Sequence, residues 1–258
     1  NEKQLRAAGV PYLRTITHGG SHASYYPGAM QLSLKLIYSP KGKILGAQAV
    51  GADGADKRID VIATAIHAGM SVDDLADLEL AYAPPFSSAK DPVNIAGYVA
   101  SNVLRGEQRV ISWDELQALQ PGSVQLIDVR TSEEFELGTI PGARHIDLNQ
   151  LRERLSEVAR DKPVVLFCQV GLRGYLAWRI LKQAGFTELF NLSGGYKTWA
   201  WAVEKQSNPD IFDYEDIKHR EPSELIGIPS TCAMAVSVAG KRHRLDAAGL
   251  QCPGPILK

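Results

Sequence analysis

From Gln31 to Tyr38 apolar and polar residues alternate, with Leu32, Leu34, Leu36 and Tyr38 on one face and Gln31, Ser33 and Lys35 on the other. Period two over eight residues predicts a half-buried strand. Ser39-Pro40-Lys41-Gly42 is turn chemistry, and Ile44 to Val50 supplies a returning strand, so the pair reads as a hairpin. Asp56 to Ala68 changes to helical spacing, with Ile59, Ile62, Ala63 and Ile66 on one side. Ser71 with Asp74 has the pattern of a capping box opening a short helix. Pro84-Pro85 interrupts the chain, and Val93 to Leu104 predicts a further helix ending at Gly106.

A second block begins at Ser112, which forms another capping box with Glu115. Strand Val124 to Asp128 leads into a helix capped by Thr131 with Glu134. A short strand from His145 to Asp147 precedes a charged helix from Leu148 to Val158. Strand Val164 to Phe167 feeds a helix from Leu172 to Ala184. Strand Leu189 to Leu192 precedes a helix carrying Tyr196, Trp199 and Trp201. Short apolar strands alternating with helices predict a parallel sheet covered on both faces. Residues 204–240 form a charged linker region with one short strand expected from Ala233 to Val238, and the chain closes with Leu245-Asp-Ala-Ala-Gly-Leu-Gln-Cys252-Pro-Gly-Pro. The missing initial Met and the apolar segment just begun at Lys258 lead us to expect a piece of a longer protein.

The 258 residues are 45% hydrophobic and 22% charged, a globular composition, and 28 Lys and Arg stand against 29 Asp and Glu. A net charge of −1 offers no footprint for nucleic acid or an anionic membrane, so neither is expected as a partner. No apolar stretch approaches the ~20 residues needed to span a bilayer. The N-terminus lacks a signal-peptide pattern, so the cytoplasm is the expected location. Three cysteines, Cys168, Cys232 and Cys252, are too few and too scattered for a disulfide framework or a zinc site. Cys232 has no supporting loop and reads as structural. His18 and His22 stand four apart, but Gly19-Gly20 between them is poor helix and no acidic ligand adjoins, so no metal is assigned.

Chemistry concentrates in Cys168-Gln169-Val170-Gly171-Leu172-Arg173-Gly174. The cysteine is expected at the C-terminal end of a buried parallel strand, where open α/β sheets place their ligands. The glycines permit a tight loop with inward amides, and a helix begins at once, which together make an anion cradle. A thiol held there ionises more readily, and the same cradle suits a persulfide, Cys-S-S⁻. Arg173 adds a positive charge. The catalytic assignment is therefore Cys168 and Arg173, with Gln169, Val170, Gly171, Leu172 and Gly174 around the bound group. A buried inert cysteine is the competing reading, and the Gly-Leu-Arg-Gly run behind it argues against that.

With these residues in hand, 110–203 resemble a rhodanese domain. The resemblance rests on Ile127-Asp128-Val129-Arg130, Glu133-Glu134-Phe135, Gly138-Thr-Ile-Pro-Gly-Ala143, the cysteine loop, and Leu192-Ser-Gly-Gly195 before an aromatic helix. It implies a five-stranded parallel α/β sheet with helices on both faces, sulfane-sulfur transfer through a Cys168 persulfide, and a structural, loop-supporting role for Asp128 and Arg130. Thr139 departs from the family, where many members carry His. Cysteine phosphatases have a similar loop with one more residue between Cys and Arg, a wider bowl suited to a phosphoryl group.

Residues 1–106 resemble the α+β C-terminal dimerisation domain of the flavin-dependent pyridine nucleotide–disulfide reductases. The subgroup indicated is the coenzyme A disulfide reductases and their persulfide-reducing relatives with a fused rhodanese. The carrying residues are His22-Ala-Ser-Tyr25-Tyr26-Pro-Gly-Ala, Ile44-Leu-Gly-Ala-Gln48, Lys57-Arg58-Ile59-Asp60 and Leu80-Ala-Tyr82-Ala-Pro-Pro85. The resemblance implies a homodimer in which Tyr82, and one of Tyr25 or Tyr26, approach the partner's redox cysteine and coenzyme A. Ordinary interface or core packing of each tyrosine is the competing reading. FAD, NAD(P)H and coenzyme A are implied for a longer parent with an upstream flavin domain. No cofactor is assignable within this chain, because no Gly-x-Gly-x-x-Gly follows a strand. Residues 241–258 resemble the start of a small sulfur-carrier domain, which implies a carrier role for Cys252. The expected function is a rhodanese sulfurtransferase inside a disulfide or persulfide reductase, using small sulfur donors and thiol acceptors such as coenzyme A or glutathione. A non-catalytic dimerising and docking scaffold is the alternative from a different class.

Overall fold

The computed structural model describes residues 1–207 and 232–237. It opens with helix α1 (Glu2–Ala7), followed by strands β1 (Leu13–Gly20), β2 (Gln31–Tyr38) and β3 (Ile44–Gly51) and helices α2 (Ala55–His67), α3 (Val72–Asp77) and α4 (Pro92–Leu104). β1 and β2 run antiparallel, as do β2 and β3, so the expected hairpin is the centre of a larger sheet. Leu32, Leu34, Leu36 and Tyr38 all face the core, against Ile59 and Ile62 of α2 and Val93, Ala96 and Ala100 of α4. Each of these leucine, isoleucine and valine side chains contributes on the order of 1.5–3 kcal/mol on burial. β1 was not evident from the sequence because Arg14, Thr15, Thr17 and His18 blur its alternation.

The buried stripe of α2 also differs from the expected one. It comprises Ala55, Arg58, Ile59, Ile62 and Ala65, with Ile66 at its margin and Ala63 only half-buried. The stripe is turned by Arg58, which is only 1% exposed. Its guanidinium donates to Asp91 through Nε and Nη2 at 3.2 and 2.8 Å, and to the carbonyls of Ser21 and Gly54. Asp91 in turn caps α4 by accepting from the Val93 amide at 3.0 Å. Removing either partner would leave a buried charge unpaired, a loss of about 3–5 kcal/mol.

The second unit contains β4 (Val110–Ile111), α5 (Trp113–Gln117), β5 (Gln125–Asp128), α6 (Ser132–Glu136), β6 (Arg144–His145), β7 (Val164–Phe167), α7 (Leu172–Gln183), β8 (Leu189–Leu192) and α8 (Gly195–Ser207). Its five strands are parallel, in the order β4-β8-β7-β5-β6. β7 is central and wholly buried. Two apolar layers cover the sheet, one built on Ile127, Val164, Leu166, Trp178 and Leu181, the other on Ile111, Leu116, Val165, Phe167 and Leu192. The α/β expectation therefore stands in the structure.

Two elements depart from expectation. Leu148 to Val158 is a succession of turns ending in a 3₁₀ turn at Leu155–Glu157, not an α-helix. Asp147 accepts from the Asn149 amide at 2.7 Å and starts an Asx turn, after which bonds such as Gln150 N to Asp147 O and Leu151 N to Leu148 O wind the chain tightly. The spacing of Leu148, Leu151, Leu155 and Val158 serves such a path as well as a helix. In the region read as a linker, 204–207 continue α8 and β9 (Cys232–Ser237) pairs antiparallel with β3, close to the strand expected at 233–238. β9 covers the otherwise open hydrogen-bonding edge of β3. Residues 241–258, with Cys252, lie outside the described residues.

A polar seam joins the two units. Arg14 donates to Ser112 Oγ at 2.7 Å and to both carboxylate oxygens of Asp114 at 2.5 and 2.6 Å, and it also meets Glu2. The Ile16 amide donates to Ser193 Oγ at 2.8 Å, next to the β8–α8 turn. His18 bridges Ser33 Oγ at 2.8 Å and Thr198 Oγ1 at 2.7 Å, with Trp201 edge-on to its ring. Burial, followed by the charge of Lys197, lowers its pKa from 6.5 to about 4. The unfolded chain then binds more protons between those values. His18 therefore supports folding fully above about pH 6.5 and loses this support as pH falls towards 4, by at most about 3 kcal/mol. His18→Gln keeps hydrogen-bonding capacity without the titration. Urea unfolding from pH 7 to 4.5 should show the wild type losing stability relative to this variant; parallel profiles would contradict the assignment.

Candidate functional site

Cys168 directly follows the buried strand β7 and is 1% exposed. The loop behind it is held by its carbonyls. Cys168 O accepts from the Tyr196 amide at 2.8 Å and Gln169 O from the Lys197 amide at 3.0 Å, so the first turn of α8 fastens two consecutive loop carbonyls. Gly171 O accepts from Tyr175 N at 2.9 Å and from Asn191 Nδ2 at 3.1 Å. With these carbonyls committed, the Gly171 amide donates to Cys168 Sγ at 3.2 Å. Gly171 has φ +117° and precedes α7, a conformation that glycine adopts without strain. Gly195, at φ +61°, lies so close to Cys168 and Gln169 that a Cβ there would strike their backbone.

The remaining loop residues divide by role. The Gln169 side chain accepts from Arg130 Nη1 at 3.2 Å. Val170 is half-buried and Leu172 is exposed at the mouth. Val170, Gly171 and Leu172 also border an interdomain cavity of about 360 Å³, lined from the first unit by Ile16 and Tyr98. Gly174 lies inside α7, where a Cβ would collide with Asn191, so its smallness seats the helix on β8.

Arg173 was expected as an added positive charge. Its two terminal nitrogens instead both donate to Glu134, at 2.6 Å each. The Glu134 hydrogen bond is foremost in raising its pKa, and interaction with Cys168 also contributes. Glu134 Oε2 accepts in addition from the Thr131 amide at 3.0 Å, closing the capping box of α6. Chiefly through Arg173, its pKa falls to about 2. Glu134 was legible in the sequence as a capping residue, but pairing with an arginine 39 positions away was not.

Beneath the loop, Asp128 and Arg130 form a buried two-pronged pair, with Nη2 to Oδ2 at 2.7 Å. The Arg130 guanidinium lies 4.2 Å from the Tyr196 ring centroid and donates to Gly138 O at 2.6 Å. Thr139, at the departing position, donates to Asp128 Oδ2 at 2.8 Å. These contacts join β5, the 138–143 turn and the cysteine loop into one rigid base.

In the first unit, Tyr25 and Tyr82 meet through their hydroxyls at 3.0 Å and are 73% and 50% exposed. Tyr26 turns instead to His22, ring edge to ring at 5.8 Å. His18 and His22 are likewise separated by their partners: His18 bonds Ser33 and Thr198, while His22 Nδ1 meets Ala23 O. No cluster of three metal-ligating side chains occurs among the described residues. None of their helices is long and apolar enough to cross a membrane.

Residues 1–92 match the pyridine nucleotide-disulphide oxidoreductase dimerisation domain, and residues 112–202 match the rhodanese-like domain. The coenzyme A disulfide reductase of Staphylococcus aureus (strain JH9) is 50% identical over 82 residues, which are 31% of this chain and 19% of that protein. The crystal structure of reduced Bacillus anthracis CoADR-RHD is similar with a TM-score of 0.77 at 47% identity, covering 80% of this chain and 37% of that one. A NAD-dependent persulfide reductase from A. fulgidus gives a TM-score of 0.69 at 42% identity, covering 77% of this chain and 36% of that one. This chain thus spans under two-fifths of each of these relatives. It carries a pyridine nucleotide-disulphide oxidoreductase dimerisation domain followed by a rhodanese-like domain, and its homologues include coenzyme A disulfide and persulfide reductases.

Proposed function

We propose that this chain transfers sulfane sulfur through a persulfide on Cys168. The observation that carries the reading is the Cys168 sulfur receiving the Gly171 amide at 3.2 Å, between the end of β7 and the start of α7. A helix N-terminus and a donor already in place stabilise an anion without reorganisation. In the first half-reaction the Cys168 thiolate bonds to the donor's outer sulfur. The donor's S–S bond breaks and its electron pair leaves with sulfite, from thiosulfate, or with a thiolate, from a persulfide. In the second half-reaction an acceptor thiolate bonds to the terminal sulfur and Cys168 departs as thiolate. Coenzyme A and glutathione are the acceptors we propose.

Among the described residues no Gly-x-Gly-x-x-Gly turn follows a strand, so no flavin or nicotinamide site is assigned to them. FAD and NAD(P)H therefore enter only through the longer protein we propose, a cytoplasmic coenzyme A disulfide or persulfide reductase with an upstream flavin domain. In it, Tyr25 and Tyr82 would face the partner's redox site, with Tyr26 beside them. Cys252 would receive sulfur from Cys168 at the start of a carrier domain. The homodimer is supported by the exposed apolar group of Tyr25, Tyr26, Met30, Tyr82 and Phe86, a surface suited to a two-fold contact. Light scattering at micromolar concentration should report a dimer; a strict monomer would overturn this assembly.

A thiosulfate:cyanide assay tests the chemistry. Cys168→Ser should abolish thiocyanate formation, because an alkoxyl oxygen cannot carry the sulfur. Arg173→Ala should fold and lower kcat/KM for thiosulfate severalfold, because Glu134 would then face the dianion without its partner. Substantial activity in Cys168→Ser, or faster hydrolysis of a phosphate ester, would contradict the proposal.

A further inference from the structure

We propose that Glu134 is a specificity-determining residue that discriminates against dianionic sulfur donors by neutralising Arg173 at the mouth of the cysteine loop. The inference rests on the sulfurtransferase reading and concerns which donor that site accepts.

Two guanidinium groups adjoin the loop, and each is already matched by a carboxylate. Arg130 is buried with Asp128 and spends its remaining donors on Gln169 and Gly138. Arg173 holds Glu134 through both terminal nitrogens. Further along the chain, Arg179 pairs with Glu107 at 3.2 Å, and Lys197 lies over the Trp201 ring, 4.7 Å from its centroid, and acts on His18 at the domain seam. The two pairs at the loop sum to no net charge, although the site must hold an anion.

Glu134 cannot readily swing aside. Its Oε2 also accepts from the Thr131 amide, so release from Arg173 would strain the cap of α6. It stays ionised at any physiological pH. Glu133 stands beside it and adds negative potential. The Arg173 and Glu134 side chains are 32% and 31% exposed, so water weakens their field without removing it. A donor reaching Cys168 therefore meets the guanidinium and the carboxylate together. Thiosulfate, with two charges, gains little from Arg173 and is repelled by Glu134. An alkyl persulfide carries at most one charge at its reacting end and is penalised less.

The test is kcat/KM for thiosulfate and for an alkyl persulfide with an uncharged alkyl group, cyanide being the acceptor, in wild type and Glu134→Gln. Gln at this position preserves the capping box and one hydrogen bond to Arg173, while removing the charge. The thiosulfate-to-alkyl-persulfide ratio should rise roughly tenfold at low salt, mainly through a lower KM for thiosulfate, and the gain should shrink as salt screens the mouth. An unmoved ratio, or an equal fall with both donors, would overturn the proposal and leave Glu134 a purely mechanical support for Arg173. Wild type alone gives a second readout that needs no variant. Its thiosulfate kcat/KM should vary only weakly with ionic strength, and a steep fall with salt, the signature of a net cationic mouth, would also overturn it. Transfer from neither donor in wild type would instead remove the sulfurtransferase reading, and this inference with it.

Discussion

Two backbone hydrogen bonds organise the site: Tyr196 N to Cys168 O and Lys197 N to Gln169 O. They require the first turn of α8 to approach the cysteine loop more closely than any side chain at Gly195 would permit. Once both carbonyls are fixed, the Gly171 amide is left to donate to the cysteine sulfur. Asp128 and Arg130 support the same loop from below, and Asn191 holds Gly171 from β8. A persulfide would form against a donor already in position, so little reorganisation would be needed at the moment of transfer.

The same turn region connects to the first unit. Ser193 receives the Ile16 amide and Thr198 bonds His18, one at each end of the turn into α8. The segment that fixes the cysteine loop therefore also fixes the domain seam. Anything loosening that seam, such as protonation of His18, acts close to the site. The exposed Tyr25–Tyr82 pair shows a different logic. It is not used in the core of its own unit, and its two hydroxyls are free to meet a surface outside it.

Much of this was legible because it is local. The alternation of Leu32, Leu34 and Leu36, the cap at Thr131 and Glu134, and the strand–glycine–helix run around Cys168 each lie within a dozen residues. What was not legible depends on long-range pairing. Arg58 enters the core only because Asp91 meets it, and Arg173 loses its free charge only because Glu134 faces it. The stretch from Leu148 to Val158 failed for another reason: its apolar spacing suits both a helix and a chain of turns, and Asp147 decides for the turns. β1 was hidden because its outward residues serve the seam and so include Arg14 and His18.

The central claim is that Cys168 stores sulfur. Intact and peptide mass spectrometry after brief exposure to a sulfane-sulfur donor, before any acceptor is added, tests it most directly. The account predicts the added mass of one sulfur atom, localised to the peptide containing Cys168 and lost on addition of an acceptor thiol. An unchanged mass at Cys168, or sulfur found only on another residue, would contradict it.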